Sequence, residues 1–237
     1  MTNLLHFFRF TAALFATCWL LALPMQPAAY AQTPTELSLN AQLLEAARHD
    51  DLSSVRRVLD QGAAPNSRNR TGDTALMIFT RNGNLEMVDL LLRKGADPNL
   101  ANVSKVTPLM AAAHGGSAPI ARALLDRGAD VNALDQLSKT AMVYAAGQGN
   151  TEIVAMLLDA GIDANATYRH DLTALMWAAG YGKADTVRLL LARGADPARR
   201  DDRGKTAGDI ARDGGYAGVA ALLERKEERD ERKEETR

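Results

Sequence analysis

The chain has 237 residues, of which 46% are hydrophobic and 24% are charged. This balance is typical of globular proteins and excludes disorder over most of the length. The 28 basic and 29 acidic side chains give a formal net charge of −1. Without a block of basic residues they offer no electrostatic surface for nucleic acid, and we expect no nucleic-acid partner.

The first 31 residues have the pattern of a secretory signal peptide. His6 and Arg9 precede an uncharged apolar run over 10–23, and the small residues AYA follow at 29–31. We therefore expect export, with cleavage after Ala31 and no membrane attachment afterwards. An uncleaved anchor is the alternative, but a transmembrane helix needs about 20 apolar residues and this run is shorter. The one cysteine lies inside the run, so the mature chain is expected to have neither disulfides nor a cysteine nucleophile.

Four rows of residues recur with a period of 33. The rows are Gly62, Gly95, Gly128, Gly161 and Gly194; Thr74, Thr107, Thr140, Thr173 and Thr206; Gly83, Gly116, Gly149, Gly182 and Gly215; and Asn66, Asn99, Asn132 and Asn165. One period shared by four independent rows indicates a repeat protein.

Each row suits one position of a helix–turn–helix unit. The threonines are predicted N-caps of a first helix, which ends at glycines such as Gly83 that accept a left-handed backbone. Asn84, Ser117 and Asn150 are candidate N-caps of a second helix, which ends at the glycine of the first row. A long turn then leads to the next threonine.

The unit closely resembles the ankyrin repeat. The family pattern T-P-L-H-x-A-A-x-x-G is matched in place by Thr107, Pro108, Leu109, Ala112, Ala113 and Gly116. The resemblance implies an all-α ankyrin-repeat solenoid of about six helix–turn–helix repeats over residues 37–225. The family's histidine is replaced by Met77, Met110, Val143 and Met176. We expect apolar packing at these positions, and a copper-binding or oxidant-scavenging methionine stripe is the alternative.

The predicted units run from the signal peptide at 1–31 to a charged tail at 226–237. The repeats are placed at about 37–69, 70–102, 103–135, 136–168, 169–201 and 202–225. The first is degenerate, with Asp50 where the helix-ending glycine belongs, and the last has Gly208 and Asp209 in place of a Leu-Met pair, which makes its outer face polar. Atypical ends are expected of capping repeats. The tail is predicted to be a solvated helical extension or a disordered end.

The sequence contains no clear motif for catalysis, a cofactor or a metal. RGKT at 203–206 looks like the end of a phosphate-binding loop, but Arg199 stands where that loop needs glycine. His49, His114 and His170 belong to different units, which are too dispersed to share a metal ion. We therefore expect no catalytic residue, no cofactor and no metal, and an enzyme or a metal carrier is the least favoured alternative.

In ankyrin geometry, the fourth, seventh and eighth residues after each threonine face the concave groove. Tyr144, Trp177 and Tyr181 fall at such positions, in a chain that is only 5% aromatic. Because Tyr and Trp carry much of the binding energy of protein interfaces, we predict that these three side chains form a partner-binding patch. The alternative is that Trp177 merely fills a gap between helices.

Basic side chains extend the predicted surface on both sides of the aromatic patch. Arg169 and His170 lie in the long turn beside it, and Arg81 and His114 line the groove toward the N-terminus. A partner with an apolar knob and an acidic flank would fit this surface.

The resemblance and the signal peptide predict a non-catalytic protein–protein interaction module, monomeric and soluble in the periplasm of a Gram-negative bacterium. The sequence also resembles bacterial periplasmic ankyrin proteins, some of which are associated with catalase and with resistance to peroxide. That resemblance implies a stress enzyme such as catalase as partner. A neutralising or effector partner of a secreted toxin or host protein, with the chain itself secreted, is the alternative.

Overall fold

The computed structural model describes residues 34–235, with side chains described from 39 to 226. The predicted signal peptide at 1–31 lies outside the described residues. Within them, the chain forms α1 (Pro34–Arg48), α2 (Leu52–Asp60), α3 (Ala75–Asn82), α4 (Leu85–Arg93), α5 (Pro108–Gly115), α6 (Ala118–Leu125), α7 (Ala141–Gln148), α8 (Thr151–Asp159), α9 (Ala174–Gly180), α10 (Ala184–Ala192), α11 (Ala207–Asp213) and α12 (Ala217–Glu235), and a short 3₁₀ turn at Arg169–Asp171.

The helices stack in two layers. The odd-numbered helices α1 to α11 pack against one another in chain order, and the even-numbered helices α4 to α12 do the same in a second layer. Each odd-numbered helix also packs against the even-numbered helix that follows it. The described residues contain no β-strand, only isolated bridges in two of the turns. This architecture confirms the predicted all-α solenoid. None of the described helices combines the length and apolar character that crossing a bilayer requires.

The threonine row starts the odd-numbered helices from α3 to α11, as predicted. Each threonine hydroxyl accepts a hydrogen bond from the backbone N–H three residues further on, at 3.2–3.4 Å. This bond satisfies one of the N–H groups that a helix start leaves open. At the other end, Gly83, Gly116 and Gly149 take up the left-handed backbone that stops the helix. In the first repeat Asp50 does so instead, with φ 54°.

The predicted caps of the second helices are only partly confirmed. Asn84 accepts a hydrogen bond from the N–H of Met87 and caps α4, but Ser117 and Asn150 make no side-chain cap. The Asn150 amide instead donates to the carbonyl of Ala113 in the preceding repeat, at 2.7 Å. That carbonyl lies in the last turn of α5, where backbone acceptors lack partners within the helix. Asn150 therefore links two repeats.

The methionine column belongs to the core. Met77, Met110, Val143 and Met176 are all at most 3% exposed, which confirms apolar packing and contradicts an accessible methionine stripe. Two of these side chains also form a polar contact. The sulfur of Met110 accepts a hydrogen bond from the N–H of Thr107 at 3.5 Å, and Met176 does the same for Thr173 at 3.4 Å. The thioether thus gives the backbone N–H of the N-cap threonine a hydrogen-bond acceptor, which apolar packing alone would not provide.

The last repeat is closed by a capping box. The Asp209 carboxylate accepts hydrogen bonds from the backbone N–H and the hydroxyl of Thr206, at 2.9 and 3.0 Å. The Thr206 N–H and the guanidinium of Arg212 hold the pKa of Asp209 at about 2. Asp209 therefore caps α11 in addition to making the end of the stack polar. The charged tail continues α12 to Glu235, so its described part is helical.

Two glycines with the same backbone conformation provide a test of the repeat register. Gly83 and Gly182 have φ near +70°, yet a Cβ would meet nothing within 4 Å at Gly83 and would run into the ring of Tyr216 at Gly182. We expect Gly83→Ala to lower the free energy of unfolding by about 1–2 kcal/mol through backbone strain alone. Gly182→Ala should cost more, because the ring must also move. Urea unfolding of both variants checks this, and equal losses would contradict the contact between Gly182 in repeat five and Tyr216 in repeat six.

Candidate functional site in the concave groove

Four of the five long turns that precede the odd-numbered helices α3 to α11 share one hydrogen-bonded frame. We call the turns at 67–73, 100–106, 133–139, 166–172 and 199–205 fingers 2 to 6, after the repeat that each enters. In four of them an asparagine or aspartate side chain accepts hydrogen bonds from the N–H groups two and four residues further on, at 2.8–3.1 Å. These residues are Asn69, Asn102, Asp135 and Asp201. In finger 5 the position is held by Tyr168, which cannot make these bonds.

A backbone hydrogen bond joins neighbouring fingers at every joint from finger 2 to finger 6 except one. The three bonds run from Val103 to Thr71, from Gln136 to Ser104 and from Asp202 to His170, at 3.0–3.2 Å. The matching bond from the Arg169 N–H to the Leu137 carbonyl is not among those that the described residues form. Finger 5 instead contains the 3₁₀ turn, in which His170 has φ 63°. Replacement of an Asx residue by Tyr168 thus accompanies a break between fingers 4 and 5.

A cavity of about 210 Å³ opens at this break. Its apolar lining consists of Leu137, Val143, Leu172 and the rings of Tyr168 and Trp177. Its charged and titratable lining consists of Lys139, Arg169 and His170, without a carboxylate. The predicted site residues Arg169, His170 and Trp177 therefore meet around one cavity.

Lys139 places a positive charge beside the predicted aromatic patch. Its ammonium lies 5.2 Å from the centre of the Trp177 ring and 5.7 Å from the centre of the Tyr144 ring, within the range of cation–π attraction. Trp177 stacks on Tyr181 with ring centres 6.2 Å apart and planes 9° from parallel. Tyr181 is 53% exposed. The three aromatic side chains that the sequence placed together are thus neighbours, with a lysine among them.

The sequence contained a signal for Lys139, although no motif includes this residue. Lys139 directly precedes the N-cap threonine of its repeat, and the equivalent residues Asp73 and Lys205 each pair with the residue eight positions later. Asp73 pairs with Arg81 in repeat two, and Lys205 pairs with Asp213 in repeat six. The acidic residue therefore comes first in repeat two and second in repeat six. In repeat four the partner position is Gly147. Within the described part of the chain, the Lys139 ammonium therefore has no ion-pair partner and lies over aromatic rings instead.

A hydrogen bond to finger 4 holds the Tyr144 side chain in place. Its hydroxyl donates a hydrogen bond to Asp135 at 2.6 Å. Partial burial and the neighbouring carboxylate raise the pKa of Tyr144 to about 12, so the phenol is neutral at physiological pH. The other oxygen of Asp135 accepts the finger N–H groups of Leu137 and Lys139. One carboxylate therefore shapes finger 4 and orients Tyr144.

The predicted residues nearer the N-terminus surround a second depression, of about 410 Å³. Arg81, His114 and Tyr144 all line it, and the rings of His114 and Tyr144 meet edge to face at 5.8 Å. Arg81 is bound to Asp73 at 2.9 Å, which is itself 7% exposed. Arg81 therefore has a structural partner already, whereas Tyr144 lines this depression and also lies beside Lys139, which lines the 210 Å³ cavity.

Trp177 lies partly in the core and partly at the cavity. Its ring is half-buried against the core and also lines the 210 Å³ cavity. Its indole N–H is enclosed and has no hydrogen-bond acceptor among the described residues. Burying such a donor without a partner costs free energy.

The described residues contain no group of three or more potential metal-ligating His, Cys, Asp or Glu side chains.

Helix–turn–helix units stacked in two layers define a helical repeat protein. The family model for ankyrin repeats in three copies matches residues 43–135 and 131–201, about two thirds of the chain. The chain belongs to the ankyrin-repeat family, whose members are protein–protein interaction modules. It is also similar to a mitochondrial disaggregase of Bos taurus, at 41% identity over 64 residues. That match covers 27% of this chain and 9% of the bovine protein.

The bond between Tyr144 and Asp135 predicts a pH-dependent stability. Tyr144→Phe should lower the free energy of unfolding at pH 7 by about 1 kcal/mol, because the buried carboxylate loses a donor. The folded-state pKa of about 12 lies above the usual 10.0, so this contribution is complete below pH 10 and is lost as the pH rises from 10 toward 12. Urea unfolding of both proteins at pH 7 and pH 11 checks this. A difference that stayed constant would contradict the assignment.

Proposed function

We propose that this protein is a non-catalytic binding module of the bacterial periplasm that holds a partner protein in its concave groove. The observation that carries the proposal is the stacked pair of Trp177 and Tyr181 beside the ammonium of Lys139. Aromatic side chains bury a large area for little lost rotamer freedom, which suits them as interface anchors. In the free protein, Tyr181 is more than half exposed, so a partner can bury it.

The proposed compartment rests on the sequence pattern of residues 1–31, which has the basic start, short apolar run and small residues of a signal peptide. In the periplasm, the resemblance to exported ankyrin proteins favours a stress enzyme such as catalase as partner, and oxidative-stress protection as the setting. We propose a monomer, since a solenoid buries its core between its own repeats. Disaggregase activity is not carried over, because the match covers only 9% of the bovine protein.

Affinity capture from periplasmic extract tests the groove. The full chain is used as bait beside a Trp177→Ala, Tyr181→Ala double variant, and captured proteins are quantified by mass spectrometry. We expect the double variant to retain its helical content and to lose the captured partner by at least about tenfold, as is usual when interface aromatic residues are truncated.

A matched control distinguishes binding in the groove from nonspecific binding to exposed apolar side chains. Leu85 is an apolar residue at the start of α4, in the second layer, and is 37% exposed. Leu85→Ala should capture the partner as well as the wild type does. Equal capture by the folded double variant would contradict the proposed surface.

Export has its own test. Expression of the full chain in a Gram-negative host, followed by fractionation and mass spectrometry of the N-terminus, should give periplasmic protein that begins at Gln32. Protein retained in the membrane with Met1 intact would contradict cleavage. Protein recovered from the medium would favour the secreted alternative, in which the partner is a toxin or a host protein.

A further inference from the structure

We propose that the cavity between fingers 4 and 5 is a receptor for one apolar side chain of a partner's peptide segment that has a carboxylate in the neighbouring residue. The inference deepens the proposed function and rests on it. It names the chemistry that the partner presents at one place in the groove. Three features of the molecule support it, which are the backbone at the break, the charge around the cavity and the size of the cavity.

The break between fingers 4 and 5 leaves backbone groups available. At the other three joints, the corresponding N–H and C=O groups bind each other. At this joint, the Arg169 N–H and the Leu137 carbonyl have no partner among the described residues. Both residues are exposed, with Leu137 at 55%. An extended peptide that passes over the break can use such a donor and acceptor, as strands added to open backbone edges do.

The charge around the cavity selects an acidic partner. The Lys139 ammonium has only its cation–π contacts. The Arg169 guanidinium has no ion pair or side-chain hydrogen bond within the described part of the chain. His170 binds Asp202 of finger 6 at 2.8 Å, so that carboxylate is directed to the histidine and not to the two longer cations. Two uncompensated positive groups beside an apolar cavity favour an anion and disfavour a basic segment.

The size of the cavity favours a single side chain. Small-molecule sites usually have about 300–1,000 Å³, and this cavity has about 210 Å³. Its apolar walls come from Leu137, Val143, Leu172 and two rings. An aliphatic or aromatic side chain can bury its surface there, while an Asp or Glu next to it in sequence reaches the ammonium of Lys139 or the guanidinium of Arg169.

A random heptapeptide library displayed on phage tests this ligand class directly. The library is selected on the immobilised full chain, and the most enriched peptide is then synthesised with a fluorescent label for anisotropy titration. We expect the enriched sequences to share an apolar residue next to Asp or Glu. A basic consensus, or no enrichment, would overturn the proposal.

The variants are matched in charge and in repeat position. Lys139→Gln with Arg169→Gln should raise the Kd of the labelled peptide at least about tenfold, which is a typical size for the loss of interface charge pairs. The control is Arg70→Gln with Lys205→Gln, because these residues hold the same repeat positions in fingers 2 and 6. The control should stay within about twofold of the wild type. Equal losses in both pairs would overturn the proposal.

Tyr168→Asn separates the cavity from the charges. Asparagine restores the residue type that frames the other fingers, so we expect fingers 4 and 5 to close and the peptide to be lost while both cations remain. Retained binding by folded Tyr168→Asn would show that no cavity is needed and would overturn the proposal. If this variant melts early, the charge pairs above decide alone. If the peptide consensus fails while Trp177 and Tyr181 still determine protein capture, the proposed function stands and the pocket does not.

Discussion

Each repeat of this chain can bury its apolar face only against its neighbours, and the rest of the structure depends on that constraint. The core runs without interruption from Leu43 to Leu223, because each helix pair covers the next. Positions at the joints therefore recur with a strict period, since the same contacts must form again 33 residues later. Threonine caps, left-handed glycines and the buried methionine column are all consequences of this stacking.

The same constraint explains which parts of the fold could be predicted from sequence. The threonine row has one local role, which is to accept an N–H three residues away, and the structure confirms it in every copy. The asparagine row is less regular. Asn66, Asn99 and Asn165 bind the next repeat's glycine carbonyl, but the described residues show no such bond from Asn132, where Ile162 replaces alanine in the following turn. A residue that recurs from repeat to repeat therefore does not always form the same hydrogen bond to the next repeat.

The candidate site could be predicted only in part, for a related reason. Tyr144, Trp177 and Tyr181 were found because aromatic residues are rare in the chain. Lys139 was missed because it belongs to no recognised motif, and its meaning depends on Gly147 eight positions later, where repeats two and six have a partner for the equivalent residue. Tyr168 was missed because the row of asparagines and aspartates that it interrupts becomes visible only when the finger hydrogen bonds are known. In both cases the signal is a residue that differs from its equivalents in the other repeats.

Tyr168 shows how one departure can open a cavity without loosening the stack. The finger loses the two side-chain bonds that an asparagine or aspartate would make, yet the Tyr168 ring packs partly buried against the core, with its hydroxyl near Thr140 at the start of α7. That burial raises the pKa of the phenol. Finger 5 is thus attached to repeat four through a ring instead of through a backbone bond. Attachment at the ring leaves space beside it, and Lys139 and Trp177 face that space. The recurring residues of this protein hold its repeats together. A position where one of them is replaced, and where another contact makes up for the loss, can take on a binding function at little cost to stability.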